Sequence, residues 1–400
     1  GKKNPKLLAQ VKPELEEKLK KRGWTQNQFD TLWNQMLEFA KYSFNKSHAA
    51  AYAIIAYMTA KQKAYYPAEF YAGLCNSYIG KSSFVKDNAD EIITDLEDHG
   101  IKIEAFNFRN DHRRCSVRDG NVIYGIPLIK DCSVASAEIM YKCSSKYYAN
   151  FIDLIEDLIG GGVSRNQIDI FIKLGFFSEF GNSRQLLKII WIYEFFNNGQ
   201  ARTVKKNKIN NKDIEMILKK YCQESESQYT ITNEKIKNTK KLIRLINKKI
   251  KIGESEDKYS KVLDEYKEIV VGEHKSIMKN ILNDCVGYLV TPILSDFSFK
   301  EKIADHKQYL GYINLTTNKE VDRRKLLIKK LVPLINKTSG LIWAYAIFTK
   351  SIGSGKSSRL TVKANVYNSD PINEMDIVYA TTVSKNKSGY WYLLDYYKLF

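Results

Sequence analysis

The sequence predicts a multidomain protein that is mainly α-helical and has a small β-barrel near its C-terminus. Its 400 residues exceed what one hydrophobic core usually organises, so about two to four domains are expected. Apolar residues recur at spacings of three and four over most of residues 4–196, which is the period of an amphipathic helix. From about Gly340 apolar and polar residues alternate, which is the period of a β-strand.

The charge of the chain favours an anionic partner. Lysine and arginine number 63 against 45 acidic residues, for a formal net charge of +18. Apolar residues make up 44% of the chain and charged residues 27%, a globular composition that excludes wholesale disorder. We therefore place nucleic acid and polyphosphates first among the candidate partners. Because lysine far outnumbers arginine, an AT-rich genome is an alternative source of part of this excess.

The six cysteines indicate reduced thiols of a cytoplasmic protein. No two of them have C-x-x-C spacing, and the chain is too long for a disulfide-stapled scaffold, so neither a zinc site nor a disulfide framework is predicted. No apolar run reaches the ~18 residues of a membrane span, and no signal-peptide pattern is present, so we expect no membrane partner. The chain starts at Gly1 without an initiator methionine, and we expect either a naturally split subunit or an excised fragment of a longer protein.

Residues 4–76 are predicted to form helices. Ser47 occupies the N-cap position of a long helix that runs to Tyr66, because Pro67 disfavours helical geometry in the residue before it. Pro67 also suits the first turn of the next helix. The long helix carries a smooth face of small residues on which a bulky partner can lie: Ala49, Ala53, Ala56, Ala60 and Ala64.

A further helix is predicted over residues 86–100, followed by a short β-like stretch that ends at NVIYGI and by more helices up to Phe196. Between Lys235 and Lys251 eight basic residues and no acid accompany an apolar stripe, which predicts a basic amphipathic helix. A solvated helix face in a linker explains this pattern at least as well as a phosphate-tracking surface does. The candidate DNA contacts on this helix are Lys240, Lys241, Arg244 and Lys248.

Period-two alternation predicts a strand near residue 360. The two alternating sets are Leu360, Val362, Ala364 and Val366 on one side, and Arg359, Thr361, Lys363 and Asn365 on the other. The aromatic-rich segments IWAYAIFTK, DIVYATTV and GYWYLLDYYKL supply further short strands. Together they favour a barrel of the oligonucleotide-binding (OB) type, with Arg359 and Lys363 as candidate DNA contacts. A plain structural barrel has the same alternation.

The segment YSFNKSHAAAYAIIAYMTAKQKAYYPAEF, which begins at Tyr42, carries the chemistry. A helix N-terminus favours an anion through its dipole and its backbone N–H groups, and Lys46 adds a full positive charge. Ser47 and His48 follow it, and Tyr52 lies one turn further on, where its ring can stack on a base. These residues suit a nucleoside triphosphate. Helix capping, a solvated lysine and a packed histidine are the commoner explanation of such a pattern.

The sequence around this pocket resembles a known family. FNKSHAAAYA, with GKKNPK upstream and YYPAEFYAGL downstream at matching spacing, resembles the fingers region of the bacterial DNA polymerase III alpha subunit, a C-family replicative polymerase. GIKIEAFNF and RRCSVRDGNVIYGIPLIK resemble the stretch that leads into the family's first helix-hairpin-helix, and SRNQIDIFIKLGFFSEFGNSRQLL resembles the second. The resemblance covers about the first 190 residues firmly. The segment from Gly287 to Pro292 and the terminal barrel follow in the family's order.

The resemblance implies a set of nucleotide contacts and two DNA-binding hairpins. The incoming dNTP would be contacted by Lys46, Ser47, His48 and Tyr52, with Lys61 and Lys63 as secondary candidates for phosphate or template contact. In the first hairpin the family's IKGVG is replaced by IKDCS, and Asp131 puts a negative charge where a phosphate would approach. The second hairpin keeps its glycine, and its implied DNA contacts are Arg165, Lys173, Gly175 and Arg184.

The metal site of the family has no counterpart in this sequence. Catalysis in the family resembles two-metal phosphoryl transfer by palm-domain aspartates that hold Mg²⁺, and this sequence contains no Asp-x-Asp pair. His99 and His112 are predicted at the surface, and His274 and His306 are isolated from other metal ligands. We therefore predict no catalytic residue and no bound metal in this chain, and Mg²⁺ in a separate palm-bearing polymerase chain.

Weaker motifs favour structural interpretations. GSGKSS resembles a phosphate loop, but Lys350 stands where that loop needs its first glycine and a strand follows, so a hairpin turn is predicted. QIDIF matches the peptide by which replicative polymerases grip a sliding clamp, yet its place inside the second hairpin favours a core role for Ile168, Ile170 and Phe171. The terminal YYKLF is a second candidate for a sliding-clamp contact.

These observations predict four domains and a function. The domains are a fingers-like helical domain at 1–110, a tandem helix-hairpin-helix domain at 111–196, a basic helical linker at 197–300 and an OB-like barrel at 301–400. The chain would grip the incoming dNTP and primer–template DNA, together with a palm-bearing chain, in a bacterial cell or a phage-infected host. The alternative is a non-catalytic DNA-binding or scaffold protein derived from such a polymerase. Nucleotide binding would separate the two.

Overall fold

Two units follow one another along the chain, Gly1–Tyr66 and Pro67–Phe400. The structure, a computed structural model, describes the backbone of residues 5–42, 46–81, 84–313, 324–351 and 357–399. Helices predominate in these residues, and a closed five-stranded barrel follows them. This arrangement confirms the predicted fold class. The domain boundaries predicted at 110, 196 and 300 stay predictions.

The first unit is helical over its described residues. Phe29 and Trp33, four residues apart on one helix, are buried, with ring centroids 6.1 Å apart. The ammonium group of Lys12, on the preceding helix, lies 5.8 Å from the Trp33 ring centroid. This aromatic pair therefore joins the first two helices. The helices of this unit are α1 (Pro5–Lys20), α2 (Gln26–Tyr42) and α3 (Lys46–Tyr65).

Pro67 separates α3 from the next helix, as the sequence predicts. Helix α3 ends at Tyr65, one residue before its predicted end, and α4 (Pro67–Asn76) begins at the proline. The first position of a helix has no intrahelical use for its N–H group, so proline breaks no hydrogen bond there.

The helices of the second unit that precede the barrel share one hydrophobic core, which extends from Ala68 to Tyr312. The centre of this core is aromatic, since the Phe176 ring centroid lies 4.6 Å from that of Phe106 and 5.3 Å from that of Phe171. The same core therefore supports both predicted hairpins. After α4 the helices are α5 (Ala89–Asp98), α6 (Val134–Ser144), α7 (Phe151–Gly161), α8 (Arg165–Lys173), α9 (Ser183–Phe195), α10 (Lys212–Tyr221), α11 (Glu234–Lys251), α12 (Ser260–Leu289) and α13 (Phe299–Leu310).

Small antiparallel sheets complete this helical body. β1 (Ser116–Arg118) pairs with β2 (Asn121–Ile123), in the stretch ending at NVIYGI that the sequence predicts as β. β3 (Thr203–Lys205), β4 (Gln223–Glu224) and β5 (Gln228–Thr230) form a sheet in the order β3-β5-β4, which the sequence does not predict. Strands of two or three residues are too short to show a period of two.

The barrel has the strand order and parallel pairing of an OB fold. The strands are β6 (Lys325–Ile335), β7 (Ile342–Ser351), β8 (Ser357–Lys363), β9 (Ile377–Lys385) and β10 (Trp391–Lys398). They close in the order β10-β8-β7-β6-β9, with β10 parallel to β8 and the other described pairs antiparallel. Helix α14 (Ala364–Ser369) lies between β8 and β9 in the chain. This topology confirms the predicted OB-like barrel.

The strand predicted near residue 360 is shorter than the alternation suggests. β8 ends at Lys363, so the assignment of Ala364 and Val366 to that strand is wrong: both lie in α14. Val366 and Tyr367 pack on the barrel core, and the Tyr367 ring stacks 3.9 Å from that of Tyr345. The packing of this short helix on the barrel core therefore overrides the local alternation of apolar and polar residues. The turn predicted at GSGKSS falls largely on residues outside the described ranges.

Apolar and charged contacts join the barrel to the helical body. Lys350, on β7 and only 2% exposed, donates a hydrogen bond to Glu97 Oε1 at 2.6 Å. Lys329, on β6, lies 2.5 Å from an oxygen of Asp90. Both acids belong to α5, so this helix holds the barrel in place. The apolar part of the junction is a cluster of buried side chains: Ile303, Ile313, Leu327 and Ile377.

The prediction that His112 lies at the surface is wrong. Its side chain is 2% exposed, with Nδ1 2.7 Å from the carbonyl oxygen of Tyr124 and Nε2 2.8 Å from that of Asn107. The ring packs on Phe176, with centroids 4.9 Å apart. His112 thus fills an aromatic core and links two loops. His99, the other histidine predicted at the surface, is exposed.

Burial of His112 makes stability dependent on pH. Burial lowers the pKa of His112, although the backbone carbonyls beside its ring act in the opposite direction. The unfolded state therefore binds more protons than the folded state below the ordinary pKa of 6.5, and the free energy of unfolding falls as the pH falls. Between about pH 7 and about pH 5.5, we expect the free energy of unfolding of the unchanged chain to fall by about 1 kcal/mol more than that of His112→Gln.

Urea unfolding at the two pH values measures this difference. His99→Gln, which changes an exposed histidine, is the control and should keep the pH dependence of the unchanged chain. If the unchanged chain and His112→Gln lose equal stability between the two pH values, His112 is not the cause of this pH dependence.

Candidate nucleotide and nucleic-acid site

The predicted nucleotide site lies at the N-terminal end of α3. The helix begins at Lys46, so Ser47 lies inside the first turn and is not the N-cap that the sequence predicts. Phe44 and Asn45 of the motif lie outside the described residues. The rings of His48 and Tyr52, one turn apart, have centroids separated by 4.5 Å. The first two turns of α3 thus carry a lysine, a serine and two neighbouring rings, at the end of the helix that favours anions.

The secondary candidates on α3 lie far from this end. Lys63 follows His48 by fifteen residues, or about 22 Å of helix, on roughly the same face. Lys61 lies about 140° around the helix from His48. Both lysines therefore lie well away from the first turn, and their contact with phosphate or template stays a prediction.

Helix α3 exposes its apolar residues in this chain. None of its side chains is buried, and six large apolar residues are more than half exposed: Tyr52, Ile54, Ile55, Tyr57, Met58 and Tyr65. A helix that is apolar around its circumference is normally buried in a larger protein or assembly. The alanine face that the sequence predicts along α3 is likewise exposed.

The loop of the first hairpin, residues 129–133, is occupied by internal hydrogen bonds. The N–H of Lys130 donates to the carbonyl oxygen of Tyr309 at 2.9 Å. Asp131 has a φ of 64°, so it keeps the left-handed conformation that a glycine adopts easily. The Ser133 side chain caps α6 and accepts a hydrogen bond from the N–H of Ser136. With these groups engaged, and a carboxylate in the loop, the first hairpin is poorly suited to phosphate.

The predicted second hairpin has its glycine in a suitable backbone conformation, but its cations form ion pairs with carboxylates. Gly175 follows α8 with a φ of 83° and donates from its N–H to the carbonyl oxygen of Ile172. The predicted DNA-contacting cations all face carboxylates: Arg165 with Asp169 and Glu194, Lys173 with Asp305 at 3.4 Å, and Arg184 with Glu301 at 2.9 Å. Binding of a phosphate by these side chains would have to displace these carboxylates. Their role in DNA contact stays a prediction.

The segment QIDIF is part of the core. Ile168, Ile170 and Phe171 have no exposed surface within α8. The predicted core role is therefore confirmed. A sliding clamp would have to unfold this helix in order to bind the segment.

The basic helix α11 and the barrel carry exposed cations. Lys240, Lys241, Arg244 and Lys248 are exposed along α11. Lys237 and Lys251 lie on the same face of the helix but are not among the predicted contacts. Their spacing of three or four residues from predicted cations is the sequence signal that would have identified them. On β8 both predicted contacts are exposed, and the Arg359 guanidinium lies 5.6 Å from the Phe348 ring centroid. Lys363 is four residues further on.

A cleft beside Arg359 carries charges of both signs. It has a volume of about 920 Å³ between α5 and the barrel, and its lining includes four acidic residues (Asp90, Glu91, Asp95 and Asp98) and three basic ones (Lys329, Lys330 and Arg359). Lys329 already pairs with Asp90, so the lining has no net positive charge that would favour a polyanion.

Neither a metal cluster nor a membrane span occurs in the part of the chain that the structure describes. No group of three or more histidine, cysteine, aspartate or glutamate side chains there is arranged to hold a metal ion. Within the same residues, every helix is too short or too polar to cross a bilayer.

Comparison with known proteins gives one consistent result. No protein-family model matches the chain. The DNA polymerase III alpha subunit of Campylobacter jejuni is 32% identical over 198 residues, which are 47% of this chain and 16% of that protein. The alpha subunits of Treponema pallidum and Bacillus subtilis are 28% and 27% identical over similar lengths, again 16% of each. Over nearly half of its length, this chain is therefore similar to DNA polymerase III alpha subunits, as the motif FNKSHAAAYA indicates.

Proposed function

We propose that this chain is the fingers and DNA-binding portion of a C-family replicative DNA polymerase. It grips the incoming dNTP and primer–template DNA for template-directed synthesis, together with a palm-bearing chain. The observation that carries the proposal is α3, a helix whose sequence resembles the fingers of that family and whose apolar side chains are exposed in this chain. The similarity to DNA polymerase III alpha subunits supports the same role.

The N-terminal end of α3 has the chemistry to hold a triphosphate. Lys46 is exposed and supplies a full charge next to backbone N–H groups that point along the helix axis. His48 adds a ring nitrogen close to the same turn. Tyr52, in ring contact with His48, offers a flat surface to the base. The phosphates and the base would thus bind to adjacent turns of one rigid helix.

The exposed apolar face of α3 favours a large covering partner. Large apolar side chains such as Ile54, Ile55 and Met58 would be costly to leave in water at about 25 cal/mol per Å². A palm-bearing polypeptide that packs against this face would cover them and would bring its own catalytic groups to the nucleotide end. The matched region is only 16% of each relative, so most of a relative's length has no counterpart in the alignment.

Catalysis in this proposal depends on the partner. Mg²⁺ held by palm carboxylates would stabilise the charge of the transferred phosphoryl group, and this chain binds and orients the nucleotide and the DNA. A sliding clamp is a further candidate partner. The terminal YYKLF, the second segment predicted for it, begins within β10, where Tyr396 is buried in the barrel core and Tyr397 is exposed, so a clamp would have to bind the exposed side of this segment. The setting would be the cytoplasm of a bacterial cell or of a phage-infected host.

Primer extension by this chain mixed with a palm-bearing chain from the same source tests the proposal. Lys46→Ala removes the charge beside the first turn of α3. We expect it to raise the apparent KM for dNTP roughly tenfold, because a charge-assisted hydrogen bond to phosphate contributes about 1.5 kcal/mol or more. His48→Ala should abolish or strongly reduce extension by the mixture.

The control is Lys21→Ala, which removes an exposed lysine that pairs with Glu17 at 2.7 Å and should leave KM unchanged. An unchanged KM in Lys46→Ala would remove Lys46 from the site. Absence of extension in the mixture, together with DNA binding that persists at high salt, would favour the non-catalytic DNA-binding protein instead.

A further inference from the structure

We infer that the hairpin of α11 and α12 is a DNA-binding arm, which lays the basic face of α11 along the phosphate backbone of a DNA duplex. The arm is separate from α3 and from the tandem hairpins. Its test is a binding measurement, so the inference stands or falls independently of polymerase activity.

The cations of α11 form one continuous face. At 100° per residue they lie within an arc of about 100° and extend for about 21 Å along the helix. Neighbouring cations on this face are one, three or four residues apart, so none is more than about 6 Å along the axis from the next. The members of this basic face are Lys237, Lys240, Lys241, Arg244, Lys248 and Lys251.

The opposite face of α11 fixes the direction in which the basic face points. Ile236 and Thr239 are buried and Ile243 is half-buried, and this apolar side packs along α12. The far half of the hairpin, residues 244–271, buries only Leu263 among its described side chains. That half therefore packs on the helical body only at its end, where Val270 contacts the main core, and it leaves the basic face open to solvent.

Charge pairing distinguishes this face from the second hairpin. Five of its six cations form no ion pair among the described residues, and Lys237 pairs with Glu234 at 2.8 Å. By contrast, the predicted cations of the second hairpin all face carboxylates. Unpaired cations bind phosphates without displacing an acid, and each contact releases a counterion from the DNA, which drives association.

The composition of α11 favours a duplex over a single strand. Proteins that bind single strands combine cations with aromatic rings on which bases stack, and α11 contains no aromatic residue. Of its two asparagines, Asn238 lies off the basic face and Asn247 lies beside its edge, so no amide side chain stands within the face to pair with adenine. A straight row of cations on a rigid helix matches a regular phosphate backbone and contacts it without regard to sequence.

Binding of the full chain to a labelled 30-base-pair duplex, measured by fluorescence anisotropy over a range of salt concentrations, tests the inference. The arm variant combines Lys241→Gln, Arg244→Gln, Lys248→Gln and Lys251→Gln. Each lost phosphate contact removes about 0.9 from the slope of log affinity against log salt, so the slope should fall by about 3 to 4. The affinity itself should fall at least about tenfold near 0.1 M salt.

The matched control loses the same charge outside the arm: Lys102→Gln, Lys142→Gln, Lys212→Gln and Lys300→Gln, all of which change exposed lysines. It should keep the slope of the unchanged chain nearly intact. Arginine at the four arm positions keeps the charge and should restore binding, which separates loss of contact from loss of fold. Equal effects of the arm and control variants would overturn the inference. A loss as large for the single strand of the same sequence would overturn the assignment to a duplex.

Discussion

Lys350→Met is expected to destabilise the junction between the barrel and the helical body by about 3 kcal/mol. Lys350 is buried, and its ammonium group donates hydrogen bonds to Glu97 Oε1 at 2.6 Å and to the carbonyl oxygen of Ile313 at 2.8 Å. Burial lowers the pKa of Lys350 and raises the pKa of Glu97, because each charge has left water. Removing the lysine leaves the buried carboxylate without its compensating charge.

The environment of Glu97 makes this loss hard to repair. Its second oxygen, Oε2, is buried and has no hydrogen-bond partner among the described residues. Lys329 favours the charged form of Glu97 and Asp90, on the same helix, disfavours it, and these two groups already pair with each other. Without Lys350 the carboxylate would therefore lose the cation that it contacts directly, and it would have to bind a proton or water.

Hydrogen exchange of the β7 amides in the full chain measures the effect. An opening free energy lower by about 3 kcal/mol corresponds to exchange about 100-fold faster. Lys330→Met, which changes an exposed lysine on the neighbouring strand, should alter exchange little. The double variant Lys350→Met with Glu97→Met should recover most of the loss, because it removes both charges. A double variant as labile as the single one would show that the ion pair is not the cause.

Gly311→Ala should also destabilise the chain, by about 3 kcal/mol or more. Gly311 ends α13 with a φ of 74°, a left-handed conformation that costs an alanine about 1–2 kcal/mol. An added Cβ would also lie 2.0 Å from the backbone carbonyl oxygen of Val85. Because that oxygen belongs to the backbone, one of the two segments has to move.

Gly100→Ala is the matched control for this substitution. Gly100 follows α5 with a φ of 79°, and nothing lies within 4 Å of an added Cβ. It should therefore show only the conformational cost, about 1–2 kcal/mol. Thermal unfolding of the two variants compares them directly. Equal shifts in Tm would mean that the close approach to Val85 adds nothing.

The cations of the predicted second hairpin and those of α11 are arranged in different ways. In the predicted second hairpin Arg165, Lys173 and Arg184 hold elements together through carboxylates, so their charge is largely neutralised locally. On α11 five of the six cations of the basic face form no ion pair among the described residues, so their share of the net charge of +18 stays uncompensated at the surface. The sequence shows both groups simply as basic residues, and it assigns them the same role.

The sequence by itself determined the local features of this protein. Helical spacing of apolar residues, Pro67 at a helix start and the alternation around Leu360 act over a few residues, and each dictates a local conformation directly. The succession of short strands indicated the OB-like barrel, and the motif FNKSHAAAYA indicated the polymerase similarity. These signals are short-range, so they can be recognised without knowing what packs against them.

Only the tertiary structure decided which polar groups are buried and paired. His112 is buried among rings brought from distant segments, and Lys350 meets Glu97 across 253 positions of the chain. Ala364 leaves its strand because a helical turn there packs on the barrel core. In each case the deciding energy comes from desolvation and from a partner far away in the sequence, and no local pattern records either of them.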